Sequence, residues 1–217
     1  ISLKMCASQS KAGLLSWEQF IHESNAFLKV SQILNDGWKS EVLIENPYGF
    51  YLTKTQLCSI ESNCEQKMFE ESDEQEFIEN VKIVKFEYHI VYSQSYLSPI
   101  LYFRAINSNG SHLNIEEIWD LIPQAYKLEH TAENKYSIYS KMITQMDHVL
   151  LGKPYFAFHP CQTTTFMSEI NYSLPQKSYI LTWLSTIAPF VGLKLSLDYV
   201  TEFQKRNINK FEKCSLY

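Results

Sequence analysis

Glycine is scarce in this sequence, six among 217 residues. Phosphate-cradling loops need backbone that turns tightly and approaches an anion closely, and neither a G-x-G-x-x-G nor a P-loop pattern occurs. The five cysteines, Cys6, Cys58, Cys64, Cys161 and Cys214, contain no C-x-x-C pair and are odd in number. That count argues against a disulfide framework and for a reducing compartment. Zinc takes about four N/S ligands. His159 and Cys161 offer two at an awkward spacing, and Cys58 and Cys64 lie in a polar, acidic stretch, so a structural zinc site is not expected. No basic stripe with interleaved aromatics appears, which excludes nucleic acid as an expected partner. Long apolar runs are missing too. The most apolar stretch, "YILTWLSTIAPFVGL" at 179–193, falls short of the ~20 residues of a membrane span and is broken by Pro189. The opening residues lack the apolar core of a signal peptide. A cytoplasmic protein without stable membrane insertion is the expectation.

What is present is a core. Hydrophobic residues make up 45% of the chain and aromatics 14%, enough for one single domain spanning 1–217. The net charge of −5 is uneven. Glu61 to Glu79 hold eight acidic residues and one lysine, a local charge of −7, so the remainder carries +2. This composition predicts a mobile acidic insertion at about 55–80, with docking to a basic partner as the other reading.

Periodicity supplies the elements. "SWEQFIHESNAFLKVSQIL" has Ser16 and Gln19 in capping-box spacing, and Trp17, Phe20, Ile21, Phe27 or Leu28, and Ile33 recur as on a helix. A strand near Trp38–Glu45, the turn "NPYG" and the strand "FYLTK" predict a hairpin whose edge could take an added strand. In "VKFEYHIVY", Val84, Phe86, Tyr88, Ile90 and Tyr92 alternate with a polar face that carries His89, expected to be solvated. "ILYFRAI" should pair with it antiparallel. Asn114 can cap a helix with Glu117 at its third position. Residues 129–150 carry no clear pattern: their polar start reads as loop, and "YSIYSKMI" could be strand. "PYFAFH" is a strand, "YILTWLSTI" a helix ended by Pro189 and Gly192, and the tail after Leu195 turns polar and is expected to be partly loose. Helices at the ends of an antiparallel meander make an α+β fold.

The stretch "PYFAFHPCQTTTFM", 154–167, carries the functional question. Most single cysteines are small buried hydrophobes. Cys161, however, follows Pro160, where the strand should stop, and precedes polar "QTTT", a position suited to an accessible thiol nucleophile. A thiol protease would need a base such as histidine aligned on the sulfur. His159, two residues away, shares an extended segment with the cysteine, which is not yet an alignment. Packing and reaction both stay open on the residues alone.

His-Pro-Cys after an aromatic strand resembles the signature of the autophagy branch of ubiquitin-conjugating enzymes. "EYHIVYSQSYLSPILYFRA", "LLGKPYFAFHPCQTTTFM" and "TWLSTIAPFVGLKL" are similar, in content and order, to the family of autophagy-related protein ten. The resemblance implies a ubiquitin-conjugating-type α+β fold, a mainly antiparallel sheet flanked by helices. It implies that Cys161 accepts a ubiquitin-like modifier, autophagy-related protein twelve, as a thioester from an activating enzyme. The modifier then passes to a lysine of an acceptor, autophagy-related protein five. Ordinary ubiquitin-conjugating enzymes use the asparagine of a His-Pro-Asn motif on the oxyanion, and this sequence has none. His159 stands as oxyanion donor or as a brace of the loop. Tyr96 matches the tyrosine of the family's YS-x-x-Y stretch, which the resemblance puts near the cysteine; packing on the sheet is its other reading. The alternatives are the lipid-conjugating sister enzyme, autophagy-related protein three, and a non-catalytic interaction domain.

Overall fold

The structure is a computed structural model, and it describes residues 13–61, 81–121, 143–173 and 178–205. Among the described residues six strands form one sheet in the order β1-β2-β3-β4-β6-β5, every pairing antiparallel. They are β1 Lys39–Val42, β2 Phe50–Glu61, β3 Val81–Ser93, β4 Ser98–Asn107, β5 Ile143–Asp147 and β6 Pro154–Phe158. Among the described residues these α-helices join them: α1 Trp17–Leu34, α2 Ile115–Leu121, α3 Thr163–Ser173 and α4 Tyr179–Ile187. Residues 198–205 are also helical. The fold is α+β, an antiparallel sheet flanked by helices, consistent with the ubiquitin-conjugating type that the resemblance implied.

Local chemistry explains the elements that the pattern anticipated. Ser16 Oγ accepts the Gln19 N–H at 3.2 Å while Gln19 Oε1 accepts the Ser16 N–H at 2.8 Å, so both bonds of the capping box start α1. Asn114 and Glu117 exchange the same pair of bonds, each at 2.8 Å, at the start of α2. The hairpin forms as expected, with Lys39 opposite Thr53 and Val42 opposite Phe50. Of the alternating residues of β3, Val84, Phe86, Tyr88, Ile90 and Tyr92 all lie buried beneath the helices. They meet Phe20, Phe27 and Val30 of α1 and Ile180, Trp183, Leu184 and Ile187 of α4. Burying one such side chain contributes about 2 kcal/mol.

Several expectations need correction. Strand β2 continues to Glu61, paired residue by residue with Val81–Val91, so 55–61 are sheet rather than insertion. The rest of the acidic run, 62–80, lies outside the described residues, as do Pro123 and most of "YSIYSKMI". The strand beyond that stretch is β5, at Ile143–Asp147. Ile33 is 53% exposed, and Val30 and Leu34 take its place against the core. The polar run after Cys161 is helix α3, anchored by fully buried Met167. The tail is not loose over 198–205. Tyr199 is fully buried, stacks on Phe27 at 5.0 Å and donates to Asp36 Oδ2 at 2.8 Å. Asp36 also pairs with buried Lys54 at 2.6 Å.

The largest correction concerns the second face of the sheet. His89, expected in solvent, is 8% exposed. Tyr51, Val91, Ile100, Tyr102, Tyr155 and Ala157 form a smaller core there, covered by Leu43 and by Met146, Leu150 and Leu151 of the β5–β6 hairpin. His89 Nδ1 lies 3.0 Å from His148 Nε2.

Candidate active site

Strand β6 delivers the cysteine. Tyr155 and Ala157 face the second core while Phe156 and Phe158 face the first, so the strand is gripped from both sides. His159 follows in extended backbone, φ −65° and ψ 129°, as a residue before proline prefers. Pro160 opens a single 3-10 turn, Pro160–Gln162, where its fixed φ and missing N–H cost nothing. α3 begins at once with Thr163, which is buried. Cys161 sits in this turn with its side chain exposed. An exposed thiol buries little surface, unlike a core cysteine.

His159 is the cap of that turn. Its Nδ1 accepts the Cys161 N–H at 3.1 Å. An accepting Nδ1 carries no proton, so the neutral ring holds its hydrogen on Nε2. The imidazole thus sets the backbone on which the thiol stands. Tyr96 lies in the turn between β3 and β4, 41% exposed, and its ring meets the His159 ring edge-on at 5.5 Å and 78°. Strand register brings them together. Leu101 of β4 pairs with Phe158 of β6, so the turn that begins β4 lies beside the turn that ends β6. All three residues singled out from the sequence, Cys161, His159 and Tyr96, therefore cluster at one corner of the sheet.

The remaining chemistry lies elsewhere. Cys58 is half-buried in β2, with Gln56 Nε2 3.3 Å from its sulfur, while Cys6, Cys64 and Cys214 fall outside the described residues. Among the described residues no group of three or more His, Cys, Asp or Glu is placed to hold a metal ion. No helix among them is long and apolar enough to cross a membrane. An open cleft of about 670 Å³ lies where β4 and β6 diverge, lined by Arg104, His112, Gln145, Lys153, Tyr155 and others, and Cys161 is not part of it. Two features near the thiol escaped the sequence reading. One is α3, whose Phe166, Met167 and Ile170 do keep a helical spacing behind three threonines. The other is the chain before α1, where Leu15 N–H donates to the Leu97 carbonyl at 2.8 Å, beside Tyr96. No local pattern announces that contact.

A family model described as "Autophagocytosis associated protein, active-site domain" matches residues 16–198, which include this corner. The chain belongs to that family. It is 38% identical over 133 residues to a human protein named ubiquitin-like-conjugating enzyme ATG10, covering 58% of each. It is 35% identical over 129 residues to the Dictyostelium discoideum protein of that name, 54% of each. The Arabidopsis thaliana protein of that name is 32% identical over 120 residues, 52% of this chain and 51% of that one. The chain thus spans about half the length of the curated relatives it matches. The resemblance read from the three sequence blocks is to the same family.

Proposed function

We propose that the chain is a ubiquitin-like-protein conjugating enzyme of autophagy, with Cys161 as its thioester-forming nucleophile. One observation supports this above others: the exposed thiol on a capped turn at the end of β6, inside the family's active-site domain. The names of the relatives point to the same reaction class.

The reaction runs in two acyl transfers. Cys161 sulfur attacks the carbonyl of the modifier's C-terminal thioester on an activating enzyme. A new C–S bond forms, the old one breaks, and the activating enzyme's thiol leaves with the proton. One thioester replaces another, so positioning rather than driving force governs the step. In the second step an acceptor amine attacks that carbonyl. A C–N bond forms, the C–S bond breaks, and Cys161 recovers a proton lost by the amine. Negative charge gathers on the carbonyl oxygen in between. His159 acts here as a positioning residue through its Nδ1, which accepts the Cys161 N–H. Tyr96 supports the His159 ring and borders the approach to the thiol.

By the family resemblance, the modifier is autophagy-related protein twelve and the acceptor amine a lysine of autophagy-related protein five, in the cytoplasm. The chain works as one domain spanning 1–217. No cofactor enters either step, since activation occurs upstream. The test is to incubate the chain with activating enzyme, ATP and modifier and to resolve the products without reductant. A thiol-sensitive adduct is expected with the native chain and none with Cys161→Ala. An adduct that persists in Cys161→Ala overturns the assignment.

A further inference from the structure

We propose that residues 13–15 form a strap that holds the Tyr96 turn against the Cys161 turn, and that this positioning serves the second, amine-accepting step. The inference rests on the conjugating-enzyme reading and names a positioning element that the family motif does not contain.

The strap touches both sides of the site. At one end Gly13, with φ +88°, lies against the first turns of α3. A Cβ added there would fall on the Thr164 carbonyl oxygen and 2.8 Å from the Ser168 nitrogen. Thr164 is three residues from Cys161, on the helix that continues its turn. The Gly13 carbonyl also accepts the Tyr179 hydroxyl at 2.9 Å, which ties the strap to the start of α4. At the other end Leu15 is buried, its carbonyl accepts the Tyr92 hydroxyl at 2.9 Å, and its N–H donates to the Leu97 carbonyl at 2.8 Å. Two residues of backbone therefore connect the base of the cysteine helix to the turn that carries Tyr96.

The Tyr96 turn needs such a hold. Tyr96 and Leu97 are both 41% exposed. Leu97 adopts φ +47°, a left-handed conformation that is uncommon for residues other than glycine and asparagine. Apart from strand pairing, the turn is fixed by the Tyr96 N–H on Ser93 Oγ at 3.3 Å and by the Leu15 N–H on Leu97. The left-handed residue is the one whose carbonyl takes the strap's hydrogen bond. The strap thus offsets the cost of a turn that places Tyr96 over His159. Charging can draw on the activating enzyme's own site, whereas attack by an incoming amine depends on how this corner is arranged.

The test separates the two steps on the full chain. Native protein and variants are charged with modifier through the activating enzyme, then discharged to free lysine. Alkylation of Cys161 by iodoacetamide reports exposure of the thiol. Gly13→Ala adds both a clash and an unfavourable φ, and is expected to slow discharge about ten-fold, with charging and alkylation within about two-fold of native. Leu97→Val, β-branched and poorly suited to positive φ, should do the same, whereas Leu97→Asn, which tolerates that conformation, should restore near-native discharge. If Gly13→Ala does not fold, the Leu97 pair decides. Equal loss in charging and discharge, no loss in either, or Val and Asn behaving alike overturns the strap. A native chain that never forms an adduct overturns the conjugating reading itself, and the strap with it.

Discussion

Two histidines bracket β6, and they use the same hydrogen bond in opposite surroundings. Before the strand, His148 Nδ1 accepts the N–H groups of Leu150 and Leu151 at 3.2 and 3.3 Å. After the strand, His159 Nδ1 accepts the N–H of Cys161 at 3.1 Å. Each imidazole caps a turn through the N–H two residues on. His148 is fully buried, ringed by Tyr51, Tyr102 and Tyr155, and its Nε2–H is spent on His89 Nδ1. His159 has Tyr96 at its edge and an exposed thiol on the turn that it caps. Burial alone turns the same cap into a lock at one end of the strand and leaves it beside reactive chemistry at the other. The two ends of β6 should therefore fail in different ways.

The largest expected difference is in charging. Cys161→Ala should abolish adduct formation yet leave the urea midpoint unchanged, since an exposed side chain contributes little packing. Cys161→Ser should load slowly and accumulate an oxyester that survives thiol reagents, because the hydroxyl is a weaker nucleophile and its ester resists amines. Cys58→Ser should charge like native protein. Unfolding of Cys161→Ala would restore the packing role and erase the contrast between the two ends.

At the buried end the loss is of stability. His148→Ala removes a ring 4.5 Å from Tyr102, leaves His89 Nδ1 without its donor and takes the acceptor from the Leu150 N–H, while the Leu151 N–H keeps the His148 carbonyl at 3.1 Å. A cost of about 2–4 kcal/mol is expected in urea titration, with charging of the surviving folded fraction normal. A cost under about 1 kcal/mol would mean that the second core does not depend on the histidine lock.

How much of this was legible depends on where each residue finds its partner. α1 could be read because Ser16 and Gln19 satisfy each other three residues apart, and β3 because alternation survives any fold that covers one face. Cys161 stood out because proline breaks the strand just before it. The second core was not legible. His89 looks solvated on a polar face until His148, 59 positions later, folds over it. α3 was hidden because three threonines, β-branched and weak helix formers, follow the 3-10 turn. The order at 198–205 was not legible because polarity hides a single Tyr199 stacked on Phe27. The neighbourhood of Tyr96 and His159 came from family likeness alone. Its physical cause, the register of β4 on β6, is a long-range fact that no local pattern expresses.

A third contrast is in pH. Burial lowers His89 to about 4, with Glu87 opposing and Arg104 reinforcing the shift. Burial likewise lowers His148 to about 3, reinforced by His89 and Arg104. The charges facing the pair are those of Arg104 and Glu87, the latter also bonded to Lys85 at 2.8 Å. Unfolded histidine titrates near 6.5, above both folded values. The unfolded chain therefore binds protons first as pH falls, and stability declines from about pH 6.5 down towards pH 4. Between pH 7 and 5 each histidine is expected to cost about 2 kcal/mol, about 4 kcal/mol for the pair. His148→Asn, whose side-chain oxygen can keep the turn's N–H bonds, should flatten that slope. An unchanged slope in this variant would place the acid sensitivity elsewhere.

The smallest effect is the most informative about the exposed end. If His159 works by holding the turn, then what matters is an acceptor for the Cys161 N–H. Asparagine supplies one, as it does in Asx turns and helix caps. His159→Ala should slow discharge to free lysine about ten-fold, equivalent to the net worth of about one hydrogen bond, with stability changed by under about 1 kcal/mol. His159→Asn should recover to within about two-fold of native. A donor role predicts the reverse order of evidence: asparagine would keep the cap but lose the imidazole Nε2–H, and discharge would stay as slow as in alanine. Rates of charging and discharge for the two variants, measured side by side, separate a brace from an oxyanion donor. The same substitution then reads differently at the two ends of β6: at position 148 asparagine is expected to flatten the pH dependence of stability, and at position 159 to keep discharge within about two-fold of native.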